Sequence, residues 1–307
     1  MSELLIGAGG WAYFQVPGLN SLEAYSKAFD FVEVNSTFYE IPSLQLVKSW
    51  RRRVPPPFEF SVRCHRDVTH RFGLEPSTEA FNVFKVMTDI CDVLNSKFLV
   101  LVTPPSLNFS KEKMYSIRDF LSSIDLEGIR LVWEVKRRMR ELIPSALIAL
   151  MQEYNIIHCV DLSNEASPID ADIVYTRVFG KGVHNLYQFT DEELLDMDDR
   201  ITSKERSTVA VSFHNVRMYK DAVRYKIYKQ TRKFPSVSKA RGQQSLREAL
   251  REDAEFPASK QELLRDQGWK VIDLTDDRRI QAHGLLEKLP DKLFRDIEDV
   301  MQNLHQF

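Results

Sequence analysis

Cysteine is scarce in this sequence and long apolar runs are missing, and each shortage excludes a class of protein. The 307 residues hold three cysteines, Cys64, Cys91 and Cys159, with no CxxC pair and no Cys/His cluster at zinc-binding spacing. This usage argues against a disulfide framework and is typical of a reducing compartment. No apolar run approaches the roughly 20 residues of a membrane helix, and the N-terminus lacks a signal-peptide pattern. We therefore expect a cytoplasmic protein without a membrane partner.

Charge of one sign is also missing from the chain as a whole. The formal net charge is -2, with 43% hydrophobic and 28% charged residues, which is the balance of an ordinary globular protein. So small a net charge does not indicate nucleic acid or a membrane as the partner, and any such signal has to be local. The length suits one large domain or two ordinary ones.

Eight short apolar runs, rich in β-branched residues, recur along the chain with helical patterns between them. Strands of this kind that alternate with helices predict a parallel sheet buried on both faces. Eight units in roughly 215 residues predict a closed (β/α)8 barrel of the TIM type. An open doubly wound sheet is the alternative, although no GxGxxG follows the first strand. The predicted strands are 3–9, 29–36, 58–64, 97–103, 129–135, 156–161, 172–179 and 207–214, and the predicted helices include 21–29, 43–53, 78–94, 114–124 and 145–154.

Polar residues stand at the C-terminal ends of the predicted strands, where a packed apolar core would exclude them. In the second strand, Glu33 and Asn35 share one face, while Val32 and Val34 share the other. A TIM barrel builds its active site at this end of its strands, and buried charges need partners. The other strand ends supply Arg63, Glu134 with Lys136, Asp161, Tyr175 with Arg177, and His214 with Asn215.

The carboxylates and the amide of this rim are the candidates for catalysis. We predict Glu33, Asn35, Glu134 and Asp161 as the catalytic residues, with Glu33 or Glu134 as a general base on water. Alternatively, Glu33, Glu134, Asp161 and His214 could hold a divalent metal ion that activates water. A divalent metal is therefore a candidate cofactor.

The cations of the rim are the candidates for substrate binding. Arg63, Lys136 and Arg177 could bind a phosphate group, the arginines through two parallel hydrogen bonds and the lysine as a point charge. A structural interpretation stays open beside this one. A Glu–Arg pair across a barrel can be a plain ion pair, and Asp161 can be a turn or helix-cap residue.

Several short motifs occur in a fixed order between about residues 4 and 225. They are Gly10, Trp11 and Tyr13 in GAGGWAY; Glu33, Asn35, Phe38 and Tyr39 in VEVNSTFY; Arg63, Thr69 and His70 in SVRCHRDVTH; Pro104–Pro105; Glu134; Tyr175 and Arg177; and Phe213, Asn215, Tyr219 and Ala222. Taken together, these motifs resemble those of the YecE-like family, catalogued as domain of unknown function 72. The resemblance implies a TIM-type barrel but no activity, because the family is defined by its unknown function.

The rim and the motif residues together supply the candidates for contact with a substrate. The predicted substrate-binding residues are Trp11, Tyr39, Arg63, His70, Lys136, Tyr175, Arg177 and Asn215. The chain departs from the family pattern at Phe179, where the family often has His, and at His214, where it usually has Asn. These two departures argue against a fixed set of metal ligands, whereas the exchanges at Arg63 and Lys136 keep a positive charge.

A basic tract follows the last predicted strand. Residues 216–251 contain eleven Lys or Arg against two acids, a local charge of +9, with tyrosines between them. Basic residues neutralise phosphates and aromatic rings stack on exposed bases, so the tract suggests DNA or RNA. The alternative is the solvated face of a final barrel helix, followed by a flexible basic loop at 233–245. The predicted nucleic-acid-binding residues are Arg224, Lys226, Lys229, Arg232, Lys233, Lys239 and Arg241.

The remainder of the chain reads as an appendage with its own elements. We predict a barrel over residues 1–230, and a basic linker with a small α/β or helical appendage over 231–307. The appendage should contain helices near 245–252 and 259–267, a strand near 269–275 and a final helix over 291–306. Residues 252–307 carry thirteen acids against eight bases, so this part is acidic.

Three functional hypotheses follow from the rim and the tract. The first is a phosphodiester hydrolase, nuclease-like, that acts on nucleic acid in repair or processing. The second is a small-molecule enzyme, an isomerase or hydrolase of a sugar phosphate. The third is a nucleic-acid-binding module without catalysis. In each case the expected ligand contains phosphate.

Overall fold

Eight parallel strands form the framework of the computed structural model, which describes residues 3–137 and 141–304. Their order in the sheet is β6-β5-β4-β3-β2-β1-β8-β7, so neighbours in the chain are neighbours in space and β1 pairs with β8. This is the predicted TIM-type topology. The strands are β1 Glu3–Ala8, β2 Phe31–Val34, β3 Glu59–Arg63, β4 Phe98–Thr103, β5 Arg130–Val135, β6 Ile157–Cys159, β7 Ile173–Val178 and β8 Thr208–Phe213.

The strands follow from alternation within apolar runs. In β4 every residue of FLVLVT is buried, which is expected where one face packs inside the barrel and the other against helices. Residues of one parity from successive strands fill the interior and form one apolar cluster. Its buried members are Leu5, Phe31, Phe98, Val100, Val102, Val132, Ile157, Cys159, Tyr175 and Ala210.

The barrel is nearly closed, and its weakest seam lies between β6 and β7. These strands share one isolated bridge, between Val160 and Thr176, instead of a ladder. The Thr176 hydroxyl donates to the Val160 carbonyl at 2.7 Å and accepts from the Leu162 amide at 3.1 Å. Residues 161–172 form a connection without a helix. The predicted sixth strand, which ran to Asp161, is therefore shorter than expected.

Seven α-helices accompany the strands in the described residues, and polar caps set several of their starts. Asn20, Ser43, Ser77 and Ser110 each accept a hydrogen bond from a first-turn amide, which satisfies a group that the helix cannot. The Ser110 cap places the start of the fourth helix three residues before the predicted one. The helices are α1 Ser21–Ala28, α2 Leu44–Arg52, α3 Thr78–Leu94, α4 Lys111–Ser123, α5 Ser145–Glu153, α6 Asp191–Thr202 and α7 Met218–Thr231.

Gly7 is a position in the barrel wall where a side chain has no room. A Cβ there would lie 2.0 Å from the carbonyl oxygen of Phe31 and 2.8 Å from the hydroxyl of Tyr25. That hydroxyl accepts from the Ala8 amide and donates to the Phe31 carbonyl, both at 2.8 Å. The glycine thus allows a buried tyrosine to join β1 and β2 from the side.

The chain groups into two compact units. One holds the described residues up to Val178 together with Arg200–Phe213, and so contains all eight strands of the barrel. The other holds Phe179–Asp199 and the described residues from His214 onward. This grouping describes compactness and not independent folding, so the predicted boundary between residues 230 and 231 stays a prediction.

The second unit has an apolar core built from the appendage. Buried leucines of its helices pack with Ile272, Phe294, Val300 and Met301. The structure corrects the predicted final helix, because its first part is a short strand and residues 305 and 306 lie outside the described residues. The elements are α8 Gln243–Asp253, β9 Ala258–Ser259, α9 Lys260–Gln267, β10 Val271–Asp273, β11 Arg279–Gln281, α10 His283–Leu286, β12 Leu293–Phe294 and α11 Ile297–Asn303.

The basic loop before α8 is held in place, contrary to the expectation of a flexible segment. The buried carboxylate of Asp273 accepts from the amides of Val237 and Ser238 at 3.0 and 2.7 Å and from the Ser238 hydroxyl at 2.8 Å. The Gly242 amide donates to the Asp273 carbonyl at 2.8 Å. One acid of the appendage therefore orders the loop. None of the described helices has the length and apolar character that crossing a membrane requires.

Candidate active site

A buried arginine joins the two rim glutamates. Arg177, at 2% exposure, approaches Glu33 side-on, with Nε and Nη2 each 3.1 Å from a different carboxylate oxygen. Its Nη1 contacts the carboxylate of Glu134. Glu33 is fully buried and Glu134 nearly so. These three side chains, on β2, β5 and β7, form the buried charge centre of the barrel.

The pKa shifts of the centre follow from competition between burial and charge. Burial alone would lower the pKa of Arg177, but the carboxylates of Glu33 and Glu134 outweigh it and raise that pKa. Burial would raise the pKa of Glu134, but Arg177 and then Lys136 outweigh it and lower that pKa. Arg177 and Glu134 are therefore both charged at neutral pH.

Tyr175 completes the centre from the same face of β7 as Arg177, as the alternation predicts. Its hydroxyl donates to Glu33 at 2.9 Å and lies 2.6 Å from the hydroxyl of Ser61. Burial, and then the charge of Glu33, raise the pKa of Tyr175, so this phenol stays protonated and donates. Sequence reasoning missed Ser61, although it stands two residues before Arg63 and so shares its strand face.

Arg63 lies above the centre at the end of β3. Its Nη1 donates to the Asn35 side chain at 2.6 Å, and its guanidinium lies 3.7 Å from the ring centroid of Phe38. Burial, and then the nearby Arg177, lower its pKa. The Nε of Arg63 is buried and has no hydrogen-bond acceptor among the described residues. Phe38, which sequence analysis treated only as a motif residue, is the platform for this cation.

Tyr39 and His70 flank Arg63 on the same aromatic platform. Tyr39 is 63% exposed and meets Phe38 edge-on at 5.0 Å between ring centroids. His70 also meets Phe38 edge-on, at 5.1 Å, and its Nδ1 lies 2.9 Å from the Thr69 hydroxyl. Burial, and then the charges of Arg63 and Arg66, lower the pKa of His70, so its imidazole is neutral at pH 7.

Lys136 and Trp11 occupy other positions of the barrel unit. Lys136 is 41% exposed and contacts one carboxylate oxygen of Glu134, while Arg177 contacts the other. Trp11 is half-buried and meets Trp50 edge-on at 5.3 Å. The structure thus brings together Glu33, Asn35, Arg63, Glu134, Lys136, Tyr175 and Arg177, with Tyr39 and His70 beside them.

Asp161 has a local structural role. Its side chain accepts from the amide and hydroxyl of Ser163 at 2.9 and 2.6 Å and from the Asn164 side chain at 3.1 Å, which is the pattern of an Asx turn. The structure shows the contacts expected of a turn residue, and the catalytic role of Asp161 stays a prediction. The predicted metal set is not assembled. Within residues 3–137 and 141–304, no three His, Cys, Asp or Glu side chains are arranged to hold a metal.

Two departures from the resembled family contact each other. The rings of Phe179 and His214 stack with centroids 5.0 Å apart and planes at 27°. Asn215, predicted to bind substrate, is buried in the second unit, where it donates to the Asp221 carboxylate at 2.7 Å and the Tyr187 carbonyl at 2.8 Å. These bonds fit a structural amide.

The basic tract is largely neutralised by acids of its own unit. Arg224, assigned to nucleic acid, is instead buried between Asp191 and Asp221 at 2.6 and 2.8 Å. This corrects its assignment, because breaking a buried pair is costly. At least seven of the eleven cations have a carboxylate within 4 Å, namely Arg217, Lys220, Arg224, Lys229, Arg232, Arg241 and Arg247.

The other predicted nucleic-acid contacts differ in exposure. Lys229 is largely buried, with its Nζ 2.6 Å from Asp198. Arg232 keeps 67% of its side chain exposed despite a distant contact with the same acid. Lys226 and Arg241 are half-buried, and Lys233 and Lys239 are exposed. Exposed side chains in this set are therefore those of Arg232, Lys233 and Lys239, and these three stay candidates for a solvated face or for a nucleic-acid contact.

Comparisons with known proteins identify a family over most of the chain. The family described as "Protein of unknown function DUF72" matches residues 5–233. The curated protein YunF of Bacillus subtilis, described as a UPF0759 protein, is 29% identical over 128 residues, which cover 38% of this chain and 45% of YunF. YecE of Escherichia coli K12 is 29% identical over 87 residues, 28% of this chain and 27% of YecE. The chain thus aligns with less than half the length of these relatives.

Solved structures show the fold. A DUF72 family protein of Thermotoga maritima MSB8 has a TM-score of 0.59 at 18% identity, covering 74% of this chain and 99% of that one. One of Enterococcus faecalis V583 has a TM-score of 0.58 at 15% identity, covering 76% and 98%. A xylose isomerase-like TIM barrel fused to a 4-hydroxyphenylpyruvate dioxygenase has a TM-score of 0.51 at 14% identity, covering 75% and 43%. At these identities the likeness concerns the barrel alone.

Proposed function

The chain belongs to the DUF72 family, whose description assigns no activity, and we propose from its own side chains that it is an enzyme acting on a small anionic molecule. The observation that carries this proposal is the charge at the rim. Two buried glutamates face three cations, Arg63, Lys136 and Arg177. Since Arg177 is held by both glutamates, the excess charge of +1 belongs to the two cations nearer solvent.

Arg63 is the residue best placed to bind the anion. Its Nε has no acceptor among the described residues, while Nη1 is fixed by Asn35 and the guanidinium plane rests on Phe38. A guanidinium held in this way suits a phosphate or carboxylate, which it binds by charge-assisted hydrogen bonds. Lys136, in contact with Glu134, adds a second positive charge to the rim.

His70 is the group best placed to move a proton. The lowered pKa of its imidazole keeps it neutral and able to accept a proton at pH 7. Glu134 is a weaker candidate, because both of its oxygens contact cations. This arrangement favours an isomerase or hydrolase of a phosphorylated or carboxylated metabolite, with His70 as acid–base group and Arg63 and Lys136 on the anion.

The nuclease-like hypothesis draws less support from the same side chains. It required a basic tract free to bind phosphates, and most of that tract is paired with acids. It also required carboxylates free to bind metal or water, and those of Glu33 and Glu134 contact Arg177. Nucleic-acid cleavage stays a prediction of lower rank.

The test is calorimetric titration of the whole protein with a sugar-phosphate panel, inorganic phosphate, citrate and a single-stranded oligonucleotide. We expect binding of at least one small anion, weakened about tenfold in Arg63→Met, because a charge-assisted hydrogen bond is lost. Arg118→Met is the matched control, since Arg118 pairs with Glu153 on the outer helices. Turnover of the bound anion should fail in His70→Gln while binding persists. Binding of the oligonucleotide alone, unaffected by Arg63→Met, would contradict the proposal.

A further inference from the structure

A cavity lies in the barrel wall, at the seam between β6 and β7. Its volume is about 260 Å³, enough for a small organic molecule. Its apolar lining includes Ile157, Leu162, Pro168, Ile169 and Val174. The residues assigned above to anion binding and proton transfer, Arg63, Lys136 and His70, do not line it, so this side cavity is distinct from the rim site.

The cavity exists because the seam is incomplete. A full ladder of backbone hydrogen bonds would bring β6 and β7 to the usual spacing of about 4.8 Å, but one bridge alone joins them. Residues that face the barrel interior, Ile157 and Tyr175, line the cavity together with His158 and Val174 from the opposite strand face. The space therefore reaches into the wall itself and is not a groove between outer helices.

Cations outnumber acids in this lining. Arg200, Lys204 and Arg206 line the cavity, and Asp170 is its one carboxylate. Lys204 and Arg206 both contact Asp170, at 2.7 and 2.6 Å, so a single carboxylate serves two cations. The Nε of Arg206 is buried and has no acceptor among the residues that the structure describes. The lining thus carries a net charge of +2 beside an apolar surface.

Neutral polar groups complete the lining. His158 is buried, and its Nδ1 lies 3.0 Å from the Ser167 hydroxyl. Burial, and then the charge of Arg137, lower the pKa of His158 to about 4, so it adds no charge at pH 7. A neutral imidazole and a hydroxyl can donate to or accept from a ligand as its chemistry requires.

We propose that the side cavity binds a small molecule with an apolar body and one carboxylate or phosphate group. The apolar body contacts the aliphatic lining, and the anion lies at Lys204 and Arg206, where two cations share one carboxylate and leave a local excess of +1. Tyr175 lines the cavity and its hydroxyl bonds Glu33. A molecule bound in the side cavity would therefore contact Tyr175, which is itself hydrogen-bonded to the buried charge centre.

The experiment separates this site from the rim by using Arg63→Met protein throughout. Phenyl phosphate and benzoate are titrated calorimetrically as the two anion types, and inorganic phosphate tests whether the apolar body is required. We expect saturable binding of phenyl phosphate or benzoate and weaker binding of inorganic phosphate. Because binding is measured without Arg63, its outcome does not depend on the proposed function.

Two further substitutions locate the ligand. Ala166→Trp fills the cavity from an exposed lining position, and Lys204→Met removes a 57% exposed cation, so one of them should fold even if the other does not. Each should weaken binding about tenfold, and Lys85→Met, a surface lysine paired with Asp89, should not. Absence of binding to the Arg63→Met protein, or equal affinity in all variants, would overturn the proposal.

Discussion

Replacement of Arg177 by methionine tests whether the buried charge centre holds the barrel together. Arg177 is 2% exposed and contacts two carboxylates that have little or no access to water. The substitution keeps much of the side-chain volume but leaves Glu33 with Tyr175 and Glu134 with Lys136. Removing one partner of a buried ion pair costs about 3–5 kcal/mol. At about 2–4 °C per kcal/mol for a unit of this size, we expect the Tm to fall by at least about 6 °C.

The pH dependence distinguishes lost charge from lost packing. In the wild type, the lowered pKa of Glu134 means that its ionised form stabilises the fold. That stabilisation is present above the unfolded pKa of about 4.3 and is lost as the pH falls through the lower folded value. In the variant, the larger of the two charges that lower this pKa is removed, so the pKa of Glu134 rises and protonation relieves part of the penalty as the pH falls. The Tm difference between wild type and variant should therefore be largest near pH 7 and narrow towards pH 5.

The assay is thermal unfolding followed by circular dichroism between pH 5 and pH 8. Arg118→Met is the control, because Arg118 forms an exposed pair with Glu153 and such pairs contribute about 0–1 kcal/mol. Two results would refute the reasoning. One is a Tm change for Arg177→Met no larger than that of the control, and the other is a difference that stays constant with pH.

Three other substitutions test contacts in the barrel and in the basic tract. Tyr175→Phe removes the hydroxyl that donates to the charge centre and should cost about 1–2 kcal/mol in urea unfolding; an unchanged midpoint would exclude that contribution. Gly7→Ala places a Cβ 2.0 Å from a strand carbonyl and should abolish or strongly reduce folded protein, whereas Gly284→Ala, with its nearest atom at 3.6 Å, should express normally. Lys229→Met removes the partner of a buried aspartate and should lower the Tm, whereas exposed Lys233→Met should not; equal Tm values would show that the tract is solvated throughout.

The strands were predictable because their signal is strong and local. A short run that is apolar throughout, such as FLVLVT, is typical of a strand in a sheet that is buried on both faces. The number of such runs indicates the barrel. The short strands and α10 in residues 279–294 were not predictable, because two to four residues carry too little periodicity. The incomplete seam between β6 and β7 was not predictable either. A connection without a helix produces no pattern at all.

Strand parity located the charge centre, but it could not decide what each charge contacts. Glu33, Glu134 and Arg177 were all placed at strand ends from their spacing, and the structure brings them together. Asp161 satisfied the same rule, but its side chain accepts the hydrogen bonds of a turn. The difference lies in the next residues, because Ser163 and Asn164 offer donors within reach of Asp161. Local donors therefore need to be examined before a strand-end acid is given a catalytic role.

The formal charge of a segment likewise does not show whether that charge is neutralised by acids elsewhere in the chain. Residues 216–251 look like a nucleic-acid-binding segment because their counter-charges lie elsewhere in the sequence, at Asp191, Asp198, Glu252, Asp276 and Glu298. Folding brings those acids to the tract, so its local charge of +9 does not describe a surface.

The rim shows the opposite case. The formal charge of the buried charge centre together with Arg63 and Lys136 is only +1, but this charge is unevenly distributed. Arg177 is neutralised in the interior, and the excess charge belongs to Arg63 and Lys136, the two cations nearer solvent. A buried ion triad is not required for stability, since apolar side chains of similar volume can serve as well. What the triad supplies is a fixed carboxylate at Glu134, which contacts Lys136 at the rim and sets the local charge that the proposed anionic ligand would meet.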